Sequence, residues 1–359
     1  MSSRRAILKS ATALVAASLL SPGAAHAQEP IPVVATFSIL GDMVARIGGE
    51  HIALTTLVDP DGDAHVYQPT PQAAAAVSQA NVLFMNGLEF EGWLERLSEA
   101  ASFDGDLVIA TTGVDAIAFG DHDDHDEHGD HGHEKHADGD AHGHDAHDHE
   151  EHADDKHGDA HGAEHAGHGD HDDHGDAHAG HNHGAFDPHA WQSLENAVIY
   201  ADNIAAGLAK ADPAHAAIFY QNRAEFVAEL EALGAEVDAM MAAIPADRRT
   251  VVTSHDAFGY MAAQYGLEFK AAQGLSTESE ASAADVAELI TQIRDQDISA
   301  VFVETITDNR LIEQIARETG ATIGGTLYSD ALSGPDGPAA TYLDMMRHNA
   351  TTLSQALGS

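Results

Sequence analysis

Histidine is where this chain concentrates its chemistry. The 359 residues include 27 His and no Cys. Twenty of the His fall between Asp121 and Gly184, in a tract that begins DHDDHDEHGDHGHEKH. The same tract holds 21 acidic residues, with only Lys135 and Lys156 as bases. Imidazole is the commonest side-chain ligand for borderline metals, and carboxylates add harder oxygen donors. Ile, Leu, Val, Met, Trp and Tyr are all missing from it. Without apolar surface to offset its ordering entropy, the tract is expected to be disordered. It signals the handling of a transition metal, zinc first among candidates, but fixes no geometry. The bland reading is a solubilising spacer with incidental metal affinity.

A defined site must come from elsewhere. Without cysteine, thiolate ligation and disulfides are excluded, which leaves His, Asp and Glu. Outside the tract and the leader stand His51, His65, His189, His215, His255 and His348. His65 lies in Asp63-Ala64-His65-Val66-Tyr67, His189 in Asp187-Pro188-His189-Ala190-Trp191, and His255 in Thr253-Ser254-His255-Asp256. Asp330 ends Leu327-Tyr328-Ser329-Asp330. His65, His255 and Asp330 follow strand candidates and His189 follows the tract, and all four are expected in loops where strand ends converge, two from each half. His215 and His348 fall on helices and read as solvated, and His51 as a turn residue. Asp187 reads as a cap for the next turn or a support for His189. Glu304, at a strand end, reads as a similar support or a surface charge. Tyr67, Trp191 and Phe258 read as packing.

The elements that must position these loops alternate. Strands are expected at Pro32–Phe37, Ile52–Val58, Asn81–Gly87 and Leu107–Ala110. Helices are expected from Ile39, from Thr70-Pro71, and over Phe90–Ala100. After the tract come helices from Leu194 to Lys210 and from the Asp212-Pro213 pair, a good N-cap and first-turn proline, to about Ile244. Phe226, Leu230, Leu233, Val237, Met240 and Ile244 give the latter a one-sided apolar stripe. The alternation then resumes from Thr250 to Ala356. Such a βα pattern implies α/β architecture with parallel sheets, whose ligands bind beyond the carboxyl ends of the strands. The organisation expected is a leader (1–27), an N-terminal α/β domain (28–211) carrying the tract (121–184), a linking helix (212–245) and a C-terminal α/β domain (246–359).

The formal charge is −43, of which the tract supplies −19, so the rest is acidic too. That argues against nucleic acid or an anionic membrane as partner. At the N-terminus, Arg4, Arg5 and Lys9 precede a short apolar run, and Ala25-His26-Ala27 fits a signal-peptidase site. Ser3-Arg4-Arg5-Ala6-Ile7-Leu8-Lys9 resembles a twin-arginine signal, although an ordinary secretory signal fits as well. A periplasmic protein cleaved near Ala27 is expected.

The ordered motifs resemble those of the metal-specific substrate-binding proteins of ABC importers, the zinc and manganese cluster. They are Thr36–Asp42, His65-Val66-Tyr67-Gln68-Pro69-Thr70-Pro71, Asp187–Trp191, His255-Asp256-Ala257-Phe258-Gly259-Tyr260 and Leu327–Asp330. The resemblance implies two Rossmann-like domains joined by a rigid helix, with metal held in the cleft between them. Its ligands map onto His65, His189, His255 and Asp330. Manganese members carry a carboxylate where this chain has His255, which tilts the choice to Zn²⁺. Some zinc members place Glu just before the first His; Ala64 removes that variant. The alternative is a three-His site with a water and a distant Asp330.

The function implied is extracytoplasmic capture of Zn²⁺ by a monomer and delivery to an inner-membrane permease, with loading from a periplasmic zinc chaperone in some relatives. A storage protein or metallochaperone that meets no permease is the competing reading. A zinc hydrolase fits less well, because no His-Glu-x-x-His helix is present. The long helix should restrict hinge opening and leave change to the loops. If the tract is the weaker accessory, removing residues 121–184 should abolish extra, weak zinc equivalents and leave one tight equivalent, as read by competition titration.

Overall fold

The two halves of the chain build the same sheet twice. The computed structural model describes residues 29–118 and 185–358. The expectations for the leader and for the histidine tract therefore lie outside the described residues. In the first half, β1 (Ile31–Phe37), β2 (Ile52–Val58), β3 (Val82–Met85) and β4 (Asp106–Ile109) form a parallel sheet of order β2-β1-β3-β4. The second half repeats this with β5 (Thr250–Thr253), β6 (Glu268–Ala271), β7 (Ala300–Glu304) and β8 (Thr322–Leu327), in order β6-β5-β7-β8. Parallel sheets are covered on both faces, so their inner strands are continuous apolar runs. Val33, Val34 and Ala35 of β1, and Val82, Leu83 and Phe84 of β3, are accordingly buried. In each sheet the strand order reverses at the first strand, where loops at the carboxyl ends part to leave a crevice.

Helices cover these faces: α1 (Ser38–Gly48), α2 (Pro71–Gln79), α3 (Leu94–Ala101) and α4 (Leu194–Ala211), then α6 (Gly259–Tyr265), α7 (Ala283–Asp295), α8 (Arg310–Thr319) and α9 (Tyr342–Leu357). Local sequence sets several starts. Thr70, Ser193, Ser282 and Thr341 each accept a bond from the backbone N–H three residues on, and Pro71 opens α2 without needing a donor. Between the halves runs α5 (Ala216–Ala242), roughly 40 Å long at ~1.5 Å per residue. It packs on α1 and α4 of the first half and on α9 of the second. Its buried stripe is Phe219, Phe226, Val227, Leu230, Leu233, Val237 and Met241.

The stripe belongs to one apolar core that runs through both halves. Val251 and Phe302 of the second sheet point into it. Their neighbours Val252, Val301 and Val303 point the other way, into a smaller cluster with Ile290, Ile293, Ile312 and Ile315 under α7 and α8. This is the period-2 alternation of a strand.

Three details differ from the sequence expectations. The long helix begins at Ala216, not at the Asp212-Pro213 pair. Asp212 is instead occupied in closing α4, through its N–H to Leu208, and in accepting His215 Nδ1 at 2.5 Å. The expected helix over Phe90–Ala100 starts only at Leu94. Leu88 and Glu89 take left-handed φ values of 53° and 64°, and Glu91 folds its carboxylate back onto the amides of Asn86 and Gly87. Finally, His215 and His348 are half-buried rather than solvated. His215 stacks on His51 with centroids 4.0 Å apart, and His348 Nε2 lies 3.0 Å from the Thr326 carbonyl.

Since the core is continuous, Leu230→Ala should destabilise the molecule as a whole, by about 2–5 kcal/mol. Urea unfolding of the metal-free protein should show a single shifted transition. Two separate transitions would contradict a shared core.

Candidate metal centre

Four loops meet between the two sheets, and each carries one candidate ligand. His65 follows β2 and His255 follows β5, while Asp330 follows β8. His189 comes from the loop that leads into α4. The structure brings all four together: one donor atom from each lies within 4.8 Å of the others, a set that could hold one metal ion. His189, His255 and Asp330 are fully buried, and His65 is 8% exposed. Asp330 is central, not distant. Its Oδ2 lies 3.0 Å from His65 Nε2 and 3.2 Å from His255 Nε2, and its Oδ1 lies 3.6 Å from His189 Nε2. The three imidazole planes are steeply inclined to one another, at 59–84°. Their Nε2 atoms and both Asp330 oxygens make no well-formed hydrogen bond. Buried polar atoms are rarely left so, and donors converging on one point are what a cation would satisfy.

Each ligand is aimed by a neighbour. Asp63 and Asp187 form matching Asp-x-His turns, in which Oδ1 accepts the backbone N–H of His65 or His189, at 2.9 Å in both. Asp187 Oδ1 also lies 2.7 Å from His189 Nδ1, which leaves Nε2 toward the cluster. Asp187 is thus both cap and support. Glu304 is no surface charge. Fully buried, it accepts the N–H groups of Ser254 and His255 at 2.7 and 2.9 Å, and its other oxygen sits 2.6 Å from His255 Nδ1. Such outer partners fix ring orientation and tautomer. Asp330 is placed through its neighbour: Trp191 Nε1 and Gln192 Nε2 donate to the Ser329 carbonyl at 2.8 and 2.7 Å.

The wall is aromatic. Phe90 meets His65 edge-on at 4.8 Å, and Trp191 meets His189 at 5.3 Å. Phe37 packs on both Phe90 and Trp191. Trp191 and Phe258 are buried packing residues, and Tyr67 stacks edge-on against Trp93.

Sequence reasoning missed Phe90, read there as part of a helix, and the buried Glu91. Glu91 accepts from Thr36 Oγ1 and from the Asn86 N–H, both at 2.7 Å. Burial raises its pKa against the pull of those hydrogen bonds. The repeated Asp-x-His spacing was the readable signal for the turns. Nothing local announces Glu91.

Charge at the site is coupled. Burial works against ionising Asp330, yet His255 and His189 hold its carboxyl well below the ordinary range. Burial likewise opposes protonation of His255, but Glu304 and Asp330 outweigh it and hold the imidazole well above its usual pKa. The raised value favours the protonated imidazole in the metal-free protein. That contribution to stability is full below the unfolded imidazole value and lost as pH rises through the raised one.

Paired parallel sheets with a buried cluster of His and Asp between them suit a metal-receiving binding protein. The particular family follows from comparison. Residues 33–356 match ZnuA, the zinc-uptake complex component A, periplasmic, and the chain belongs to that family. It is 30% identical to the manganese-binding lipoprotein MntA of Bacillus subtilis, over 92% of this chain and 91% of that one. It is 27% identical to the iron-binding protein YfeA of Yersinia pestis, over 91% and 86%. A Mn-bound periplasmic metal-binding protein from Candidatus Liberibacter asiaticus superposes with a TM-score of 0.68 at 25% identity, over 90% of this chain and 98% of that one. The chain is thus a substrate-binding protein for metal ABC transport, a class that works with a membrane permease. Among the described residues, no helix is long and apolar enough to cross a membrane.

Removing the carboxylate that orients His255 should weaken metal binding without dismantling the site. Glu304→Gln is expected to lower affinity roughly 10- to 100-fold. Chelator competition measures this, and an unchanged affinity would remove Glu304 from the orienting role.

Proposed function

We propose that this protein captures Zn²⁺ outside the cytoplasm with His65, His189, His255 and Asp330, and hands it to an inner-membrane ABC permease. The observation that carries the choice of zinc is the donor set and its spacing. Zinc bonds to imidazole nitrogen and carboxylate oxygen are about 2.0–2.2 Å, so the edges of a tetrahedron of donors run to ~3.4 Å. From Asp330 Oδ2 the Nε2 atoms of His65 and His255 lie at 3.0 and 3.2 Å, near that length, while His189 Nε2 lies 3.6 Å from the other oxygen, Oδ1. Three imidazoles with a single carboxylate suit zinc, whereas manganese favours oxygen-rich, six-coordinate surroundings. Relatives named for manganese and iron make this selectivity the point to test.

Capture needs no chemistry beyond ligand exchange and proton loss. His255 must surrender its proton before its Nε2 can bind metal. Asp330 is already ionised. His189 and His255 keep their orientation through Asp187 and Glu304, so the ion meets a largely preformed set of donors. Once neutralised, the cluster no longer leaves its buried donors without partners, and the loops around it tighten.

Competition titration of Zn²⁺ against Mn²⁺, on the wild type and His255→Asp, tests this directly. The wild type should prefer zinc, and the variant should shift toward manganese. Calorimetry in buffers of different ionisation enthalpy should find about one proton released per tight zinc at neutral pH, with affinity falling as pH is lowered. In proteoliposomes bearing the permease, the zinc-loaded protein should stimulate ATP hydrolysis. A manganese preference in the wild type would reject the zinc assignment, and silence of the permease would favour storage.

A further inference from the structure

Thr277 takes no part in the site described above, yet it touches the machinery that holds it. It lies in the irregular segment between β6 and α7. That segment is fastened to the His255 loop twice: the Gln273 N–H donates to the Ser254 carbonyl at 3.0 Å, and the Asp256 N–H to the Gly274 carbonyl at 3.2 Å. At its middle, Thr277 Oγ1 donates to Asp63 Oδ2 at 2.6 Å. The other oxygen of Asp63 accepts the His65 N–H. One carboxylate thus joins the His65 turn of the first half to a hydroxyl of the second, 214 residues away in sequence.

The matching turn is tied differently. Asp187 is held through its carbonyl, which accepts Tyr260 Oη at 2.8 Å, and that contact is buried. Thr277 is half-buried instead. With Asp63, Val66 and Ser254 it lines a groove that opens to solvent, beside a Val66 side chain that is itself exposed. His65 is also the one member of the cluster with measurable exposure. The turn beside the groove is held within its own half by Trp93 Nε1, which donates to the Ala64 carbonyl at 2.8 Å, and two residues upstream of Asp63 the Asp61 loop is bonded to Leu332 and Gly334 of the other half. The Asp63 carboxylate itself reaches the opposite half through the Thr277 bond, which water can compete for.

We propose that Thr277 is a positioning residue that sets the rate of metal exchange. While its hydroxyl holds Asp63, the His65 turn stays seated against the other three ligands. When that bond opens, the turn swings toward the groove and the ion enters or leaves past His65. The inference rests on reading the cluster as a metal site.

The test uses the full-length protein loaded with Zn²⁺ and follows transfer from its tight site to a chromophoric chelator by stopped flow. Thr277→Val replaces the hydroxyl with a methyl of similar size, and Thr277→Ser retains it. Release from Thr277→Val should be faster by about tenfold, the scale of one hydrogen bond to a charged acceptor, while Thr277→Ser releases at the wild-type rate. The thermal midpoint of the metal-free protein should hardly move, because the bond acts on a loop and not on the core. Unchanged release in Thr277→Val overturns the proposal. So does equal acceleration in both variants, or acceleration matched by an equal loss of metal-free stability, which marks a merely structural role. A wild type without any tight zinc equivalent would defeat the metal reading itself.

Discussion

Asp330 is a carboxylate with no access to water, and the rest of the structure is arranged around that fact. An isolated buried charge is strongly unfavourable unless paired. Here the pairing comes from three imidazoles on three other loops. None of them is adjacent to Asp330 in sequence, so the charge is tolerated only when both halves are folded and docked. The bonds from Trp191 and Gln192 to the Ser329 carbonyl, with Tyr342 Oη donating to the Trp191 carbonyl at 2.6 Å, keep those loops in place. The raised pKa of His255 favours an imidazolium beside Asp330 when no metal is bound. In that state the site is a compact arrangement of opposed charges, which a divalent cation can replace with little rearrangement.

That requirement also explains the uniformity of the supporting residues. Each His is steered by an acid within its own half: Asp63 for His65, Asp187 for His189, and Glu304 for His255. Two of the acids act from two residues upstream, and the third from the end of the neighbouring strand. The acids that steer the three His are local to each half, while Ser329 beside Asp330 and the Asp63 carboxylate are held from the opposite half. The shared core and α5 hold the two half-sites in register.

Much of this was legible in the sequence because its periodicities are strong. Strand and helix alternate with clear punctuation, and three of the four candidate positions, His65, His255 and Asp330, follow strand candidates. The failures are equally physical. Asp212-Pro213 looks like a helix start, but its carboxylate is drawn to His215, and a tertiary partner overrode a sound local signal. Phe90 to Trp93 has helical composition, yet the buried Glu91 holds the chain in a turn there. Glu304 was ambiguous because burial cannot be read from one acidic residue at a strand end. Thr277 was invisible, since its meaning depends on a contact across 214 residues. Local pattern picked out the four residues that cluster and missed what holds them.

The distribution of the ligands along the chain has a temporal side. His65 and His189 are synthesised long before Asp330, and the strand that delivers Asp330 is the last of the eight. A nascent or truncated chain that stops short of it can present imidazoles but no converged donor set. Burial of the Asp330 carboxylate and completion of the His/Asp cluster are therefore one event, reached only when the last described strand is in place.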